Sequence, residues 1–168
     1  MRQSTGLLVM HTDGKLRATP FVDDGIVPLN KFEEYLVGLY GLLEKNKVRA
    51  PLWGHAGDGN LSMQPYLDLS QVGDRQKLFR LMDEYYDLVI GLGGVPSATK
   101  GDGRIRGPYL TKTYGQDAYE VFEKVKNIFD PYGTLNPGVK IGVTTNGIKP
   151  FLRERFSLGK WYDYLPKP

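Results

Sequence analysis

The segment Gly54-His55-Ala56-Gly57-Asp58-Gly59-Asn60 sets a histidine, an aspartate and an asparagine among three glycines. Glycine permits a tight backbone path and lets a planar ligand come close to main-chain atoms. The polar side chains can then point inward at such a ligand, or simply bond the loop to itself. A second glycine-rich stretch, residues 93–106, carries Lys100, Arg104 and Arg106. Lys100 can serve as a base if burial keeps it neutral, or as a cation that fixes an acid group. The two arginines suit bidentate recognition of a carboxylate or a phosphate, or packing at the surface. A third stretch, Phe129-Asp130-Pro131-Tyr132-Gly133-Thr134-Leu135-Asn136-Pro137-Gly138, stops a helix and fixes a turn that can aim Asn136 at a ligand.

The elements that must position these residues follow from periodicity. Gly6 to Phe21 has the pattern of a hairpin around Thr12-Asp13-Gly14, with His11 in an apolar strand as a structural residue. Asn30 followed by Glu33 gives a capping-box start to a helix on which Phe32, Tyr35, Leu36, Leu39, Tyr40 and Leu43 form one stripe, ending near Lys45 to Lys47. Ala50 to Trp53 reads as a short buried strand; the Gly54 to Gly59 loop then joins it to a second strand or kinks it, with Leu61 and Met63 alternating beyond. A second helix is predicted from about Asp74 to Leu92, stopped by Gly93-Gly94, with Leu78, Leu81, Met82, Tyr85, Leu88 and Val89 on its inner face. Residues 95–109 read as a polar loop, and a third helix from about Gln116 to Phe129 is expected to bury Tyr119, Phe122, Val125 and Phe129. This succession predicts an α+β fold, a mostly antiparallel sheet with helices packed on it.

With 168 residues, 40% of them apolar and 24% charged, the chain fits one globular domain or one piece of a larger protein. The absence of cysteine excludes thiol catalysis, disulfides and thiolate metal sites. No apolar run is long enough for a membrane span and no signal pattern opens the chain, so the cytoplasm is the default location. The net charge of +3 collects at the end: residues 147–168 hold five Lys or Arg against two acids, which leaves 17 of each sign elsewhere. A neutral body argues against nucleic-acid binding. The division expected is a domain over residues 1–146 and a basic aromatic tail over 147–168, the tail docked on something or in peripheral contact with anionic lipid.

These motifs together resemble the C-terminal, cap and substrate, domain of FAD-linked oxidases, a family of D-lactate dehydrogenases, glycolate oxidase flavoprotein subunits and D-2-hydroxyglutarate dehydrogenases. Gly54 to Ser62 is similar to the family's GHAGDGNLH, Gly93 to Arg106 to GGxxSGEHGDGRxR, Phe129 to Lys140 to FDPxGxLNPGK, and Val22 to Pro28 to VEDVAVP. The resemblance implies that Asn60 and Asn136 lie near the flavin, that His55 and Lys100 are the candidate catalytic residues, and that Gln64, Arg104 and Arg106 are the candidate substrate ligands. Ser62 and Thr99 stand where metal-dependent members have a histidine and a glutamate, and Lys100 stands where the family has its histidine base, so no metal is expected. The implied activity is oxidation of a small 2-hydroxyacid, with FAD held mainly by an FAD-binding domain or subunit outside this chain. The alternative is a catalytically degenerate or truncated domain serving as an interaction module or separate cap subunit.

Overall fold

A computed structural model of the chain describes residues 15–152. The first strand of the predicted hairpin, with His11, and the tail aromatics Phe156, Trp161, Tyr162 and Tyr164 lie outside the described residues. The five strands are β1 (Arg17–Ala18), β2 (Gly25–Ile26), β3 (Leu52–His55), β4 (Asn60–Met63) and β5 (Tyr66–Leu67). All their pairings are antiparallel: β1 lies beside β5, and β4 lies between β2 and β3. Being central, β4 is buried along its whole length, whereas the edge strand β3 is only half-buried. The strand predicted as buried at Ala50 to Trp53 therefore starts later and sits at the sheet's edge.

Three longer helices frame this sheet. The first, α1 (Phe32–Asn46), buries Tyr35, Leu39 and Leu43 and ends where Lys47 adopts the left-handed conformation. The predicted capping box does not form. Lys31 donates its N–H to the Pro28 carbonyl at 2.8 Å, closing a 3-10 turn over Leu29–Lys31 that takes Asn30 into the helical path. Tyr40, placed on the inner stripe by the sequence, is instead exposed. The second helix, α2 (Val72–Gly91), buries Leu78, Leu81, Met82, Tyr85, Tyr86 and Val89, and Gly93 and Gly94 close it with N–H bonds to Ile90 and Val89 carbonyls.

The stretch read as a polar loop contains two short helices, α3 (Gly103–Arg106) and α4 (Leu110–Tyr114), with a 3-10 turn between them. Buried Arg106, Tyr109 and Leu110 draw it onto the body. The next helix, α5 (Gln116–Phe129), has the predicted bounds but not the predicted burial, since none of its residues is buried and Val121, Val125, Ile128 and Phe129 are exposed. Of the predicted face, Phe122 is half-buried against Tyr114, with ring centroids 5.7 Å apart, and Tyr119 is half-buried and accepts the Gly142 N–H at 2.9 Å, while Val125 and Phe129 stay exposed. A last helix, α6 (Thr145–Ile148), starts at Thr144, whose hydroxyl accepts the Gly147 N–H at 3.1 Å, and inserts Ile148 into the core.

Tyrosines form the core's centre. The rings of Tyr35, Tyr85, Tyr86 and Tyr109 follow one another at centroid distances of 6.5, 5.0 and 4.5 Å, in tilted or edge contacts. Each hydroxyl is bonded: Tyr85 accepts the Gly25 N–H at 2.9 Å and meets Tyr35 at 3.0 Å, Tyr86 donates to the Phe21 carbonyl at 3.0 Å, and Tyr109 donates to Asp83. Burial pushes the Tyr35 hydroxyl up to about 12, and Tyr85 and Tyr86 upward as well, so all three stay neutral. The Tyr85 bond ties α2 directly to the start of β2. Replacing Tyr85 by Phe leaves the Gly25 N–H buried without an acceptor, which should lower stability by about 1–3 kcal/mol in urea denaturation with an unchanged slope.

Candidate functional site

The Gly54–Asn60 motif is a hairpin that joins β3 to β4. His55 and Asn60 face each other as its last paired residues, and a 3-10 turn over Ala56–Asp58 makes the tip. Its other end is pinned to β2: Val27 donates to the Gly59 carbonyl at 3.1 Å, and a Cβ on Gly59 would lie 2.1 Å from the Val27 carbonyl oxygen. Gly59 also has φ of 75°, so the position requires glycine on both counts. Asn60 is buried and its amide donates to the Gly25 carbonyl at 3.1 Å, leaving its own carbonyl oxygen as the remaining polar group. His55 is half-buried, and its imidazole makes no hydrogen bond among the described residues. Ser62 is buried in β4 opposite Trp53. Gln64 follows the end of β4, where its N–H donates to the Pro51 carbonyl at 3.4 Å.

Two adjacent acids hold the second glycine-rich stretch against this hairpin. The Asp24 carboxylate accepts the Thr99 N–H at 3.0 and 3.1 Å, the Thr99 hydroxyl at 2.5 Å and the Lys100 N–H at 2.7 Å, while the Asp24 carbonyl takes the Ala98 N–H at 3.0 Å. Asp24 is fully buried, with φ of 70°. Burial alone would raise its carboxyl, but the Thr99 hydroxyl, the Lys100 and Thr99 amides and the Arg106 charge outweigh it and hold the group below the usual carboxylate value. The Asp23 carboxylate is shared: one oxygen accepts from Lys100 Nζ and the other from Arg106 Nη2. Arg106 also donates to the carbonyls of Gly101 at 2.9 Å and Asp23 at 3.2 Å. Lys100 keeps half of its side chain exposed at 49%, against 6% for Arg106 and 3% for Asp23.

The third motif is an acid-capped turn. Asp130 accepts the N–H groups of Thr134 at 2.8 Å and Leu135 at 2.9 Å and pairs with Lys126, which together hold its carboxyl at about 2. The turn is tied to the second motif. Lys140 pairs with Asp102 at 2.7 Å, Arg104 reaches the Pro137 carbonyl at 3.4 Å, and the Arg104 guanidinium lies 3.9 Å over the Phe151 ring. Asn136 is exposed on the turn, with φ of 47°. The structure thus gathers Lys100 and Arg106 on Asp23, sets Asn60 beside Gly25 with His55 at the hairpin's end, and places Arg104 with Asn136 on the third motif. Among the described residues no three His, Asp or Glu side chains converge as metal ligands. Asp23, Asp24, Asp102 and Asp130, which organise the second and third motifs, were not read as site residues in the sequence; the paired acids before Gly25 were the available signal.

Residues 7–139 match the family described as FAD linked oxidases, C-terminal domain. The chain belongs to this family. Among its relatives are D-2-hydroxyglutarate dehydrogenase of Haemophilus influenzae, 31% identical over 82% of this chain and 13% of that protein, and D-lactate dehydrogenase of Anaerostipes hadrus, 34% identical over 68% of this chain and 24% of that protein. Glycolate oxidase subunit GlcD of Bacillus subtilis is 27% identical over 74% of this chain and 26% of that protein. The alignments thus take in an eighth to a quarter of each relative's length. The family's α+β character is the one observed, and no helix among the described residues is long and apolar enough to cross a membrane.

The Asp130 cap makes the third motif sensitive to acid. A carboxyl with a lowered value in the folded state stabilises fully above its unfolded value, about 4, and loses that stabilisation as pH falls toward 2. The Thr134 and Leu135 amide resonances should therefore shift together between about pH 4 and 2. In Asp130→Asn they should show no such titration.

Proposed function

We propose that this domain supplies the substrate-facing side of an FAD-dependent oxidation of a small 2-hydroxyacid. The observation that carries the reading is the half-exposed Lys100 ammonium, held on buried Asp23 beside Arg106 in the second glycine-rich stretch. Such a cation is placed in advance for a substrate carboxylate. The relatives named for D-2-hydroxyglutarate, D-lactate and glycolate support an acid of this class.

The groups present fit an edge contact with FAD rather than a full grip on it. Among the described residues no glycine-rich turn leads from a strand into a helix to hold a pyrophosphate, whereas exposed Asn136 and the unpartnered His55 imidazole are free to meet a polar ring. When bound, FAD supplies the acceptor for the hydride that leaves the substrate's α-carbon. His55 takes the hydroxyl proton, Lys100 fixes the acid group, and Asn60 and Asn136 orient the ring's edge. Arg104 braces the Asn136 turn through the Pro137 carbonyl, and Gln64 follows the end of β4; neither is given a substrate contact in this reading.

The partner that completes the site is an FAD-binding domain or subunit. Its docking surface is the exposed stripe Val121, Val125, Ile128 and Phe129 on α5, which continues into Tyr132 and Leu135 beside Asn136. The same stripe supports the second reading, an interaction module without turnover, for which Ser62 and Thr99 in place of metal ligands also speak. A flavin-binding chain of this family mixed with the domain separates the two. The flavin absorbance should bleach on adding D-lactate, glycolate or D-2-hydroxyglutarate, and His55→Asn should slow bleaching by about 10²–10⁴-fold. Absence of bleaching with all three acids would leave the interaction module.

A further inference from the structure

We infer that Lys100 is a transferable cation: Asp23 holds its ammonium in the free protein, and a small monocarboxylate takes it over while Arg106 keeps Asp23 neutralised. The inference rests on the proposed function for the ligand's class and adds to it the means by which the acid is admitted. It also gives Arg106 a role different from the substrate contact expected of it.

The geometry assigns unequal parts to the two cations. Each occupies a different oxygen of Asp23, so neither displaces the other. Arg106 is sealed in: its terminal nitrogens donate to Gly101, to the Asp23 carbonyl and to the Asp23 carboxylate, and its Nε is buried without a partner. It has no path to a ligand. Lys100 alone reaches solvent, with 49% of its side chain exposed. An ammonium has three donors, and Asp23 occupies one of them.

Breaking a buried ion pair is ordinarily unfavourable because a charge is left without compensation. Here the Asp23 carboxylate keeps the Arg106 guanidinium when Lys100 turns away, so no buried charge is abandoned. The main chain need not move either. Asp24 holds the Thr99 and Lys100 N–H groups independently of where the Lys100 side chain points. Transfer of the ammonium is then a rotation of one exposed side chain on a fixed backbone. Arg106 acts through Asp23 as a positioning residue, since without its charge Asp23 would retain Lys100 for itself.

Competitive acetylation of the lysines of the 168-residue chain, read residue by residue by mass spectrometry, tests this directly. Sodium D-lactate is compared with sodium chloride at equal ionic strength. D-lactate at about ten times its dissociation constant should lower Lys100 labelling about tenfold, with exposed Lys31 unchanged. Arg106→Gln should abolish that protection and Arg106→Lys should restore it. Unchanged Lys100 labelling in the wild-type chain overturns the inference, as does full protection in Arg106→Gln. If Arg106→Gln does not fold, the wild-type comparison and Arg106→Lys decide: lost protection in either overturns it. No flavin is involved, so flavin bleaching without Lys100 protection overturns this inference alone, and protection without bleaching overturns only the oxidation reading.

Discussion

The site depends on one buried carboxylate. Asp24 sits with no exposed surface at the entrance to β2 and collects two main-chain N–H groups and a hydroxyl from Thr99 and Lys100. An unpaired carboxylate at that depth would be strongly unfavourable, and these charge-assisted bonds are what make its burial tolerable. From that anchor the next three residues reach the hairpin, the second glycine-rich stretch and α2. Gly25 gives its carbonyl to Asn60 and its N–H to Tyr85, Ile26 pairs with Val95, and Val27 bonds Gly59. Five consecutive residues, Asp23 to Val27, therefore fix the hairpin, the second glycine-rich stretch and α2 relative to one another.

Thr99 and Lys100 of the second glycine-rich stretch are both engaged at this same anchor, by Asp24 and Asp23. Their side chains are ties within the chain. Thr99 gives its hydroxyl to Asp24, whereas Lys100 keeps half of its side chain accessible beside its pairing with Asp23. Ser62, buried in the central strand, shares no such contact. The three positions thus differ: Ser62 is buried, Thr99 and Lys100 keep exposed surface, and of the three only Lys100 carries a charge.

Helix bounds were legible in the sequence because they rest on local signals. The glycines after α2 and Asp130-Pro131 after α5 stop their helices where periodicity placed the ends. The burial of α5 was only partly legible, since a stripe of Tyr119, Phe122, Val125 and Phe129 says that a helix has an apolar face but not how much of it is covered: Tyr119 and Phe122 are half-buried and Val125 and Phe129 exposed. The capping box at Asn30 failed for a related reason: Pro28 begins a 3-10 turn that takes up the candidate cap. The candidate residues His55, Asn60, Lys100 and Arg106 were visible as types in motifs. Their division into sealed and accessible groups was not, because it depends on Asp23 and Asp24, more than 70 residues before the loop they hold.

Hydrogen exchange of the Thr99 and Lys100 amides in the folded chain measures the central anchor most directly. If Asp24 holds the loop, both amides exchange as slowly as those of β4, although Thr99 and Lys100 lie in an irregular segment outside any helix or strand. Exchange at the rate of an open surface loop, with β4 protected, would contradict the account.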